Sequence, residues 1–122
     1  MKESTRSKGN SGEDKAAAFL LGESYRIIER NFRTRSGEID IIAQKDDVLV
    51  FVEVKALPSG DAETLAHELD IRKQRKIIKT ANFFLVKHRE YNSSKIRFDV
   101  IVIDMPNLPP VYHIPNAFTE FV

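Results

Sequence analysis

The clearest pattern in the chain is a pair of apolar runs, rich in β-branched residues and separated by a short polar segment. The first run follows Gly37 and ends at Ala43, and the second extends from Val48 to Lys55. The four residues between them, 44–47, are polar or charged. Two β-rich runs joined by a short turn are typical of a β-hairpin. We therefore predict a hairpin over residues 37–55.

A helical pattern follows between about Ile71 and Arg89, with Asp70 as a plausible N-cap. Its apolar stripe recurs at intervals of three and four residues and comprises Gln74, Ile77, Ile78, Ala81, Phe84, Leu85 and His88. An earlier helix is predicted to begin near Glu13, capped by Ser11 or Asn10, with Gly22 near its end. The segment 57–69 is interpreted as a loop with a short helical turn.

The remaining apolar segments predict strands or extended links at 25–32, 97–104 and 111–114, and the Pro-rich segment 105–110 predicts a loop. This order of helices and strands predicts an α/β fold with a mixed sheet. The polar segment 1–11 is expected to be a flexible tail without the apolar core of a secretory signal, and 12–122 a single domain.

The composition limits the classes of function. The 122 residues contain no cysteine, which excludes disulfide scaffolds, thiol catalysis and cysteine-ligated metal sites. No apolar run approaches the roughly 18 residues that indicate a membrane span. We therefore expect a cytoplasmic protein with no membrane partner.

The net charge of +1 conceals a segmental pattern. Residues 26–35 carry four arginines against one glutamate, and residues 70–79 carry five cations against one aspartate. Between them, residues 38–53 carry five acids against one lysine. An acidic hairpin is thus flanked by two basic stretches, which suits a partner that needs both signs of charge.

The hairpin pattern also predicts which residues face each other. With Asp46 and Asp47 at the tip, Asp40 faces Glu53 and Glu38 faces Lys55. Opposed side chains stand about 5 Å apart, where like charges are destabilising. The pair therefore calls for a compensating cation, either Lys55 or a divalent metal. A solvated Glu-x-Lys face is the alternative interpretation, and a bulge at the turn would shift the pairing.

The spacing of Asp40, twelve residues and then Glu53-Val54-Lys55 resembles the core of the PD-(D/E)xK nuclease superfamily. Within it, the segments 37–43 and 51–55 resemble the YraN family of small bacterial proteins, which are similar to Holliday-junction resolvases. Further matching segments lie along most of the chain and comprise 12–13, 31–33, 72–75, 97–100 and 116–118. The chain departs from many members at Ala56 and Leu57, where they have a hydroxyl residue and an arginine.

The resemblance implies a restriction-endonuclease-like core and a Mg²⁺- or Mn²⁺-dependent endodeoxyribonuclease. Asp40 and Glu53 would hold the metal, with Glu13 as a further carboxylate, and Lys55 would serve the attacking water. Glu38 is either a partner of Lys55 or a cross-strand ion pair, and Glu13 is alternatively an acid favoured by the helix dipole. Gln74 is assigned to the helix stripe in preference to the site.

The basic stretches add a candidate DNA surface of seven residues: Arg30, Arg33, Arg35, Arg72, Lys73, Arg75 and Lys76. Such contacts give salt-sensitive affinity for phosphates. The expected partner is DNA, including branched or junction forms. A homodimer is also expected, through the late strands or the Pro-rich loop, since cutting two strands needs two sites. The rival hypotheses are a non-catalytic nucleic-acid-binding module and a protein-interaction domain.

Overall fold

The computed structural model describes the backbone of residues 5–119 and the side chains of residues 11–119. Its helices are α1 (Thr5–Gly22), α2 (Ala62–Glu68) and α3 (Ile71–Lys87), and its strands are β1 (Arg26–Thr34), β2 (Gly37–Lys45), β3 (Val48–Ala56), β4 (Lys95–Ile103) and β5 (Val111–Phe118). The strands form one sheet in the order β1-β2-β3-β4-β5. Only β3 and β4 are parallel, and the other neighbours are antiparallel. The predicted mixed α/β fold is confirmed, and it is consistent with a restriction-endonuclease-like core.

The predicted hairpin is β2 and β3, and its register is as expected from the sequence. Lys45 pairs with Val48, Gln44 with Leu49 and Ile42 with Phe51. Asp46 at the tip has a φ of 54°, a left-handed conformation that aspartate tolerates better than most residues. The Asp-Asp turn is therefore accommodated without a bulge in the adjacent ladder.

Helices cover both faces of the sheet, and each completes a separate apolar core. On one face α1 contributes Ala16, Ala17 and Leu20, which pack on inward-facing residues of β2, β3 and β4. On the other face α3 contributes Ile77, Ala81 and Phe84. Because the central strands are buried on both sides, their sequences are nearly continuous apolar runs rather than alternating ones.

The helix caps explain where α2 and α3 begin. Asp70 accepts a hydrogen bond from the backbone N–H of Lys73 at 3.0 Å, as predicted for the N-cap of α3. Asp61 does the same for Thr64 at 2.9 Å, so the uncertain segment 57–69 contains the short helix α2. The helical prediction to Arg89 extends too far, because α3 ends at Lys87 and a 3₁₀ turn follows over Arg89–Tyr91.

The first helix begins earlier than predicted. We expected a start near Glu13, but α1 begins at Thr5, so part of the predicted flexible tail 1–11 is helical. Asn10 and Ser11 therefore lie inside the helix, and neither is its N-cap. Asp14 instead forms an ion pair with Arg30 at 2.6 Å. Residues 1–4 lie outside the described residues.

The late strands are longer than predicted, and one of them lies inside the sheet. β4 lies between β3 and β5, and its residues from Phe98 to Ile103 are buried. The expectation that both late strands are exposed for a dimer interface is therefore wrong for β4. Strand β5 is at the edge of the sheet, where Pro115 is tolerated. The homodimer itself stays a prediction. Within the part of the chain that the structure describes, no helix is long and apolar enough to cross a membrane.

Candidate active site

Two carboxylates meet where the hairpin strands β2 and β3 separate. The regular backbone pairing ends at Ile41 and Val52, although both strands continue. Beyond that point an Asp40 carboxylate oxygen accepts a hydrogen bond from the backbone N–H of Val54 at 2.8 Å. The carboxyl group of Glu53 lies close enough for its charge to raise the pKa of Asp40. The structure therefore brings together the pair expected from the sequence, through side chains rather than through the ladder.

The carboxyl groups of Asp40 and Glu53 are both weaker acids than usual. Burial and the negative charge of Glu53 together raise the pKa of Asp40 to about 8. Burial also raises the pKa of Glu53, against the opposing effect of Lys55. A carboxyl group with such a pKa retains its proton at neutral pH, which removes the repulsion between two adjacent carboxylates. A metal cation bound between Asp40 and Glu53 would remove the same repulsion in place of the proton.

Lys55 lies beside this pair and is held between two acids. Its ammonium nitrogen is 3.3 Å from Glu53 and 3.2 Å from Glu68, and only 18% of its side chain is exposed. Burial lowers the pKa of Lys55, but the Glu53 and Glu68 carboxylates outweigh burial and leave that pKa raised. Lys55 is therefore a fixed positive charge at the site.

Glu13 approaches the site from α1 and is almost completely buried, with 6% exposure. One of its oxygens accepts hydrogen bonds from Arg30 at 3.1 Å and from Asn31 at 3.0 Å. Asn31 has a φ of 56° within β1, a left-handed conformation that suits asparagine. The negative charge of Glu13 is close enough to contribute to the raised pKa of Asp40. Glu13 is thus electrostatically connected to the pair, and neither interpretation made from the sequence included its arginine and asparagine partners.

Glu38 pairs across the other side of β2. Its carboxylate lies 3.3 Å from the Arg33 guanidinium on β1. The hairpin register predicted Lys55 as its partner instead. Glu38 therefore forms a cross-strand ion pair, one of its two interpretations, but with β1 rather than with β3. Its charge still raises the pKa of Glu53, so Glu38 lies at the border of the site.

The seven predicted DNA-contacting residues have different environments. Arg30 is committed to Glu13 and Asp14, and Arg33 to Glu38. Lys73 lies 3.8 Å from Glu68. The other four are exposed and form no ion pair with another residue whose side chain is described; they are Arg35, Arg72, Arg75 and Lys76.

Gln74 lies near the start of α3 and is not part of its buried stripe. Its amide nitrogen donates to the backbone carbonyl of Leu69 at 2.8 Å. Its amide oxygen is buried and has no hydrogen-bond partner among the described residues. Its main contact is therefore with the α2–α3 junction.

The donors at the site are all carboxylate oxygens, which suit a hard cation such as Mg²⁺ or Mn²⁺. Among the described side chains, residues 11–119, no group of three or more His, Cys, Asp or Glu is arranged to hold a metal together. Mg²⁺ commonly uses one or two carboxylates and takes water and substrate phosphate for the rest. The Asp40–Glu53 pair fits that mode, whereas a three-carboxylate set with Glu13 stays a prediction.

A family model for the uncharacterised protein family UPF0102 matches residues 12–103. The chain belongs to this family. A UPF0102 protein of Persephonella marina is 48% identical over 91% of this chain and 92% of its own length. A UPF0102 protein of Treponema pallidum is 46% identical over 93% of this chain and 94% of its own length. A third, from Rhodopseudomonas palustris, is 44% identical over 90% of this chain and 82% of its own length.

The UPF0102 match includes every carboxylate of the site, because Glu13, Asp40 and Glu53 all lie within residues 12–103. The family resemblance drawn from the sequence is confirmed at this level. The names of these relatives state no activity, so the nuclease function implied by the resemblance is a proposal.

Two residues of this UPF0102 site were not predicted from the sequence as functional. Glu68, at the end of α2, contacts Lys55, and Asn31 on β1 contacts Glu13. The Asp61 cap signal could have revealed α2, but no local pattern pairs Glu68 with a lysine thirteen residues earlier. The asparagine was visible in the sequence, but its contact depends on how α1 lies across the sheet.

Proposed function

We propose that this protein is a metal-dependent endonuclease that hydrolyses DNA phosphodiester bonds, including those at branched or junction structures. The observation that supports the proposal most directly is the buried Asp40–Glu53 pair beside Lys55. Two adjacent buried carboxylates with raised pKa values destabilise the fold unless something binds there, and such pairs concentrate at functional sites.

In this proposal Asp40 and Glu53 hold Mg²⁺ or Mn²⁺. When bound, the metal would polarise the phosphodiester and lower the pKa of an attacking water. The carboxylate of Asp40 is oriented for this by its hydrogen bond from Val54. Such orientation limits the rotation of the ligand, which matters because hard cations require defined oxygen positions.

Lys55 contributes positive charge and not a base. Because its pKa is raised, its ammonium group cannot accept a proton from water at neutral pH. Its position between Glu53 and Glu68 suits a role in orienting water or in stabilising negative charge on phosphoryl oxygens. Glu68 is then a positioning residue that fixes the direction of Lys55.

Glu13 acts in the proposal through its charge and its contacts. Arg30 and Asn31 occupy one of its oxygens, so its simplest role is to support Asp40 rather than to bind the metal alone. The exposed cations Arg35, Arg72, Arg75 and Lys76 supply affinity for the DNA backbone that does not depend on sequence.

The decisive experiment compares cleavage by the wild-type protein with cleavage by Asp40→Asn. The substrates are linear and four-way-branched DNA, each with Mn²⁺ or with EDTA. We expect metal-dependent cleavage that falls at least about a hundredfold in Asp40→Asn, because removal of a metal-binding carboxylate removes transition-state stabilisation. Asp46→Asn, an exposed carboxylate at the hairpin tip, is the matched control and should cleave as the wild type does.

Absence of cleavage with every DNA, or equal cleavage by Asp40→Asn, would refute the catalytic assignment. Metal-independent, salt-sensitive DNA binding without cleavage would then favour a non-catalytic nucleic-acid-binding module. Absence of DNA affinity even at low salt would favour a protein-interaction domain. The non-catalytic module has one observation in its favour: Ala56 and Leu57 lack the arginine that many members carry after the Glu-x-Lys segment.

A further inference from the structure

A cleft of about 300 Å³ lies between the turn that joins β1 to β2 and the outer face of α3. Arg33 and Arg35 line it from the turn, and Phe83 and Lys87 line it from the helix. None of the residues that line it is acidic. The cleft therefore combines two aromatic residues, Phe32 and Phe83, with three cationic side chains.

Phe83 is not needed by the core of the domain. Its side chain is 48% exposed, whereas the next residue, Phe84, is completely buried against the sheet. The Lys87 ammonium nitrogen lies 5.5 Å from the centre of the Phe83 ring. An exposed aromatic side chain is a surface on which a nucleobase can stack.

The turn is held firmly against the helix, so the cleft has a defined shape. Gly37 has a φ of 153°, and a β-carbon placed there would lie 3.4 Å from the Thr80 hydroxyl oxygen and 3.8 Å from the β-carbon of Lys76. Because glycine lets the turn approach α3 this closely, the turn backbone that carries Arg35 lies beside the helix. The packing of the turn on α3 therefore brings Arg35 and Phe83 to the same cleft.

One side of the cleft adjoins Glu38, which lies at the border of the candidate active site. Arg33, at one side of the cleft, forms its ion pair with Glu38 at 3.3 Å. The charge of Glu38 in turn acts on Glu53. A ligand seated in the cleft would thus lie beside the Arg33–Glu38 ion pair. Arg35 and Lys87, which form no ion pair with a described residue, are available to its negative groups.

We propose that this cleft binds an unpaired nucleotide of the DNA substrate, with its base stacked on Phe83 and its flanking phosphates on Arg35 and Lys87. This inference rests on the proposed nuclease function and specifies its substrate as DNA with a single-stranded segment beside the cut. Charge complementarity selects the ligand, since three cations and no acid line the cleft. Base stacking on an aromatic side chain is insensitive to sequence, which suits a structure-specific enzyme.

The test measures binding of single-stranded and duplex oligonucleotides of equal length by fluorescence anisotropy, in EDTA so that no cleavage occurs. The single strand carries 2-aminopurine, whose fluorescence reports stacking. We expect Phe83→Ala to bind the single strand roughly tenfold more weakly and to lose the 2-aminopurine signal, with duplex affinity unchanged within about twofold. Phe83→Tyr should retain both properties because it keeps the ring.

Two further variants separate stacking from charge and from general effects. Arg35→Gln should weaken the binding of both ligands. It should also lower the slope of log affinity against log salt for the single strand by about 0.7. Leu21→Ala removes an exposed apolar side chain, 59% exposed, from α1 on the other face of the sheet and should change the affinity for neither ligand. Thermal melting of each variant verifies that the fold is intact.

Equal losses for single-stranded and duplex DNA in Phe83→Ala, or no loss, would overturn the stacking proposal. A change of oligomeric state in Phe83→Ala without a change in DNA affinity would overturn it too, because the face would then be a protein interface. If only the nuclease proposal is wrong, Phe83→Ala would still weaken single-strand binding selectively in EDTA, whereas the wild type would cleave no DNA with Mn²⁺.

Discussion

Asp40 is the residue at which the fold and the proposed chemistry conflict most clearly. Its carboxyl group accepts a hydrogen bond from the backbone N–H of Val54, and burial together with the charge of Glu53 raises its pKa to about 8. In the folded protein without metal it is therefore protonated at neutral pH, whereas in the unfolded chain it is ionised. Folding must take up a proton at this position, and that requirement costs stability as the pH rises.

The first stability prediction concerns Asp40→Asn, which mimics the protonated acid. The wild type should lose stability as the pH rises from about 4, the ordinary pKa of Asp, to about 8, the pKa in the folded state. The variant lacks this loss, because asparagine does not titrate. We expect the variant to be more stable than the wild type by at least about 1 kcal/mol at pH 9 and little different at pH 4.

Urea denaturation at pH 4, 7 and 9 in EDTA measures this difference. Asp46→Asn is the control, because that exposed carboxylate should leave the pH dependence unchanged. Parallel stability curves for the wild type and Asp40→Asn would contradict the prediction. Added Mn²⁺ should stabilise the wild type more than the variant, since the ligand binds the folded state.

At the scale of single elements, the edge strand β5 is joined to β4 by a buried charge network. Asp99 is fully buried and accepts two hydrogen bonds from Arg97 at 2.8 Å, one from the backbone N–H of Asn116 at 2.9 Å, and pairs with His113 at 2.6 Å. The register of the two strands shifts next to Asp99. The carboxylate therefore satisfies the backbone where the ladder is irregular, and it fixes β5 in place.

The second stability prediction is that Asp99→Asn destabilises the domain by about 3 kcal/mol. Replacing the carboxylate leaves the Arg97 charge without its partner and presents a donor to groups that also donate. The matched control is Asp104→Asn, an exposed carboxylate directly after β4, which should cost less than about 0.5 kcal/mol. Chemical denaturation at pH 7 measures both. A loss at Asp99 no larger than that of the control would contradict this account of β5.

The same network predicts a sensitivity to acid. Burial opposes ionisation of Asp99, but hydrogen bonds from His113, Arg97 and Asn116 outweigh burial and lower its pKa. A lowered pKa stabilises the folded state above about pH 4, and that stability is lost as the pH falls through the folded-state pKa. The sign is opposite to that of Asp40. Stability should therefore decline below pH 4 in the wild type and decline less steeply in Asp99→Asn.

At the scale of the whole molecule, the charges that nearly cancel in the total are separated in space. The acidic pair is partly enclosed between β2 and β3, whereas Arg72, Arg75 and Lys76 are exposed on α3. Lys76 also lies beside the β1–β2 turn, which carries Arg35. Basic residues of two distant segments, the β1–β2 turn and α3, thus lie beside each other.

This arrangement predicts the salt dependence of DNA binding. If Lys76 contacts a phosphate, Lys76→Gln should lower the slope of log affinity against log salt for duplex DNA by about 0.9. Lys15→Gln, on α1 and paired with Asp104 at 3.1 Å, is the control and should leave the slope unchanged. Titrations at several salt concentrations in EDTA give both slopes. Equal slopes for all three proteins would contradict the proposed DNA surface.

The sequence alone determined the features that depend on near neighbours. Two apolar, β-branched runs and the length of the turn between them predicted the hairpin β2–β3 and its register. The recurrence of apolar residues predicted most of α3, and Asp70 its cap. The juxtaposition of Asp40 and Glu53 followed from that register. These features are predictable because strand pairing across a short turn leaves few alternatives.

The tertiary structure decided everything that depends on how α1 and the α2–α3 segment pack on the sheet. This packing brings Glu68 into contact with Lys55 and Arg30 into contact with Glu13. It also brings Phe83 and Arg35 to the same cleft. It also ended the hairpin ladder at Ile41 and Val52, so that the Asp40 side chain bonds to the strand backbone. No local pattern contains these contacts, because they join segments far apart in the chain whose distances are set by core packing and by the left-handed backbone at Asn31.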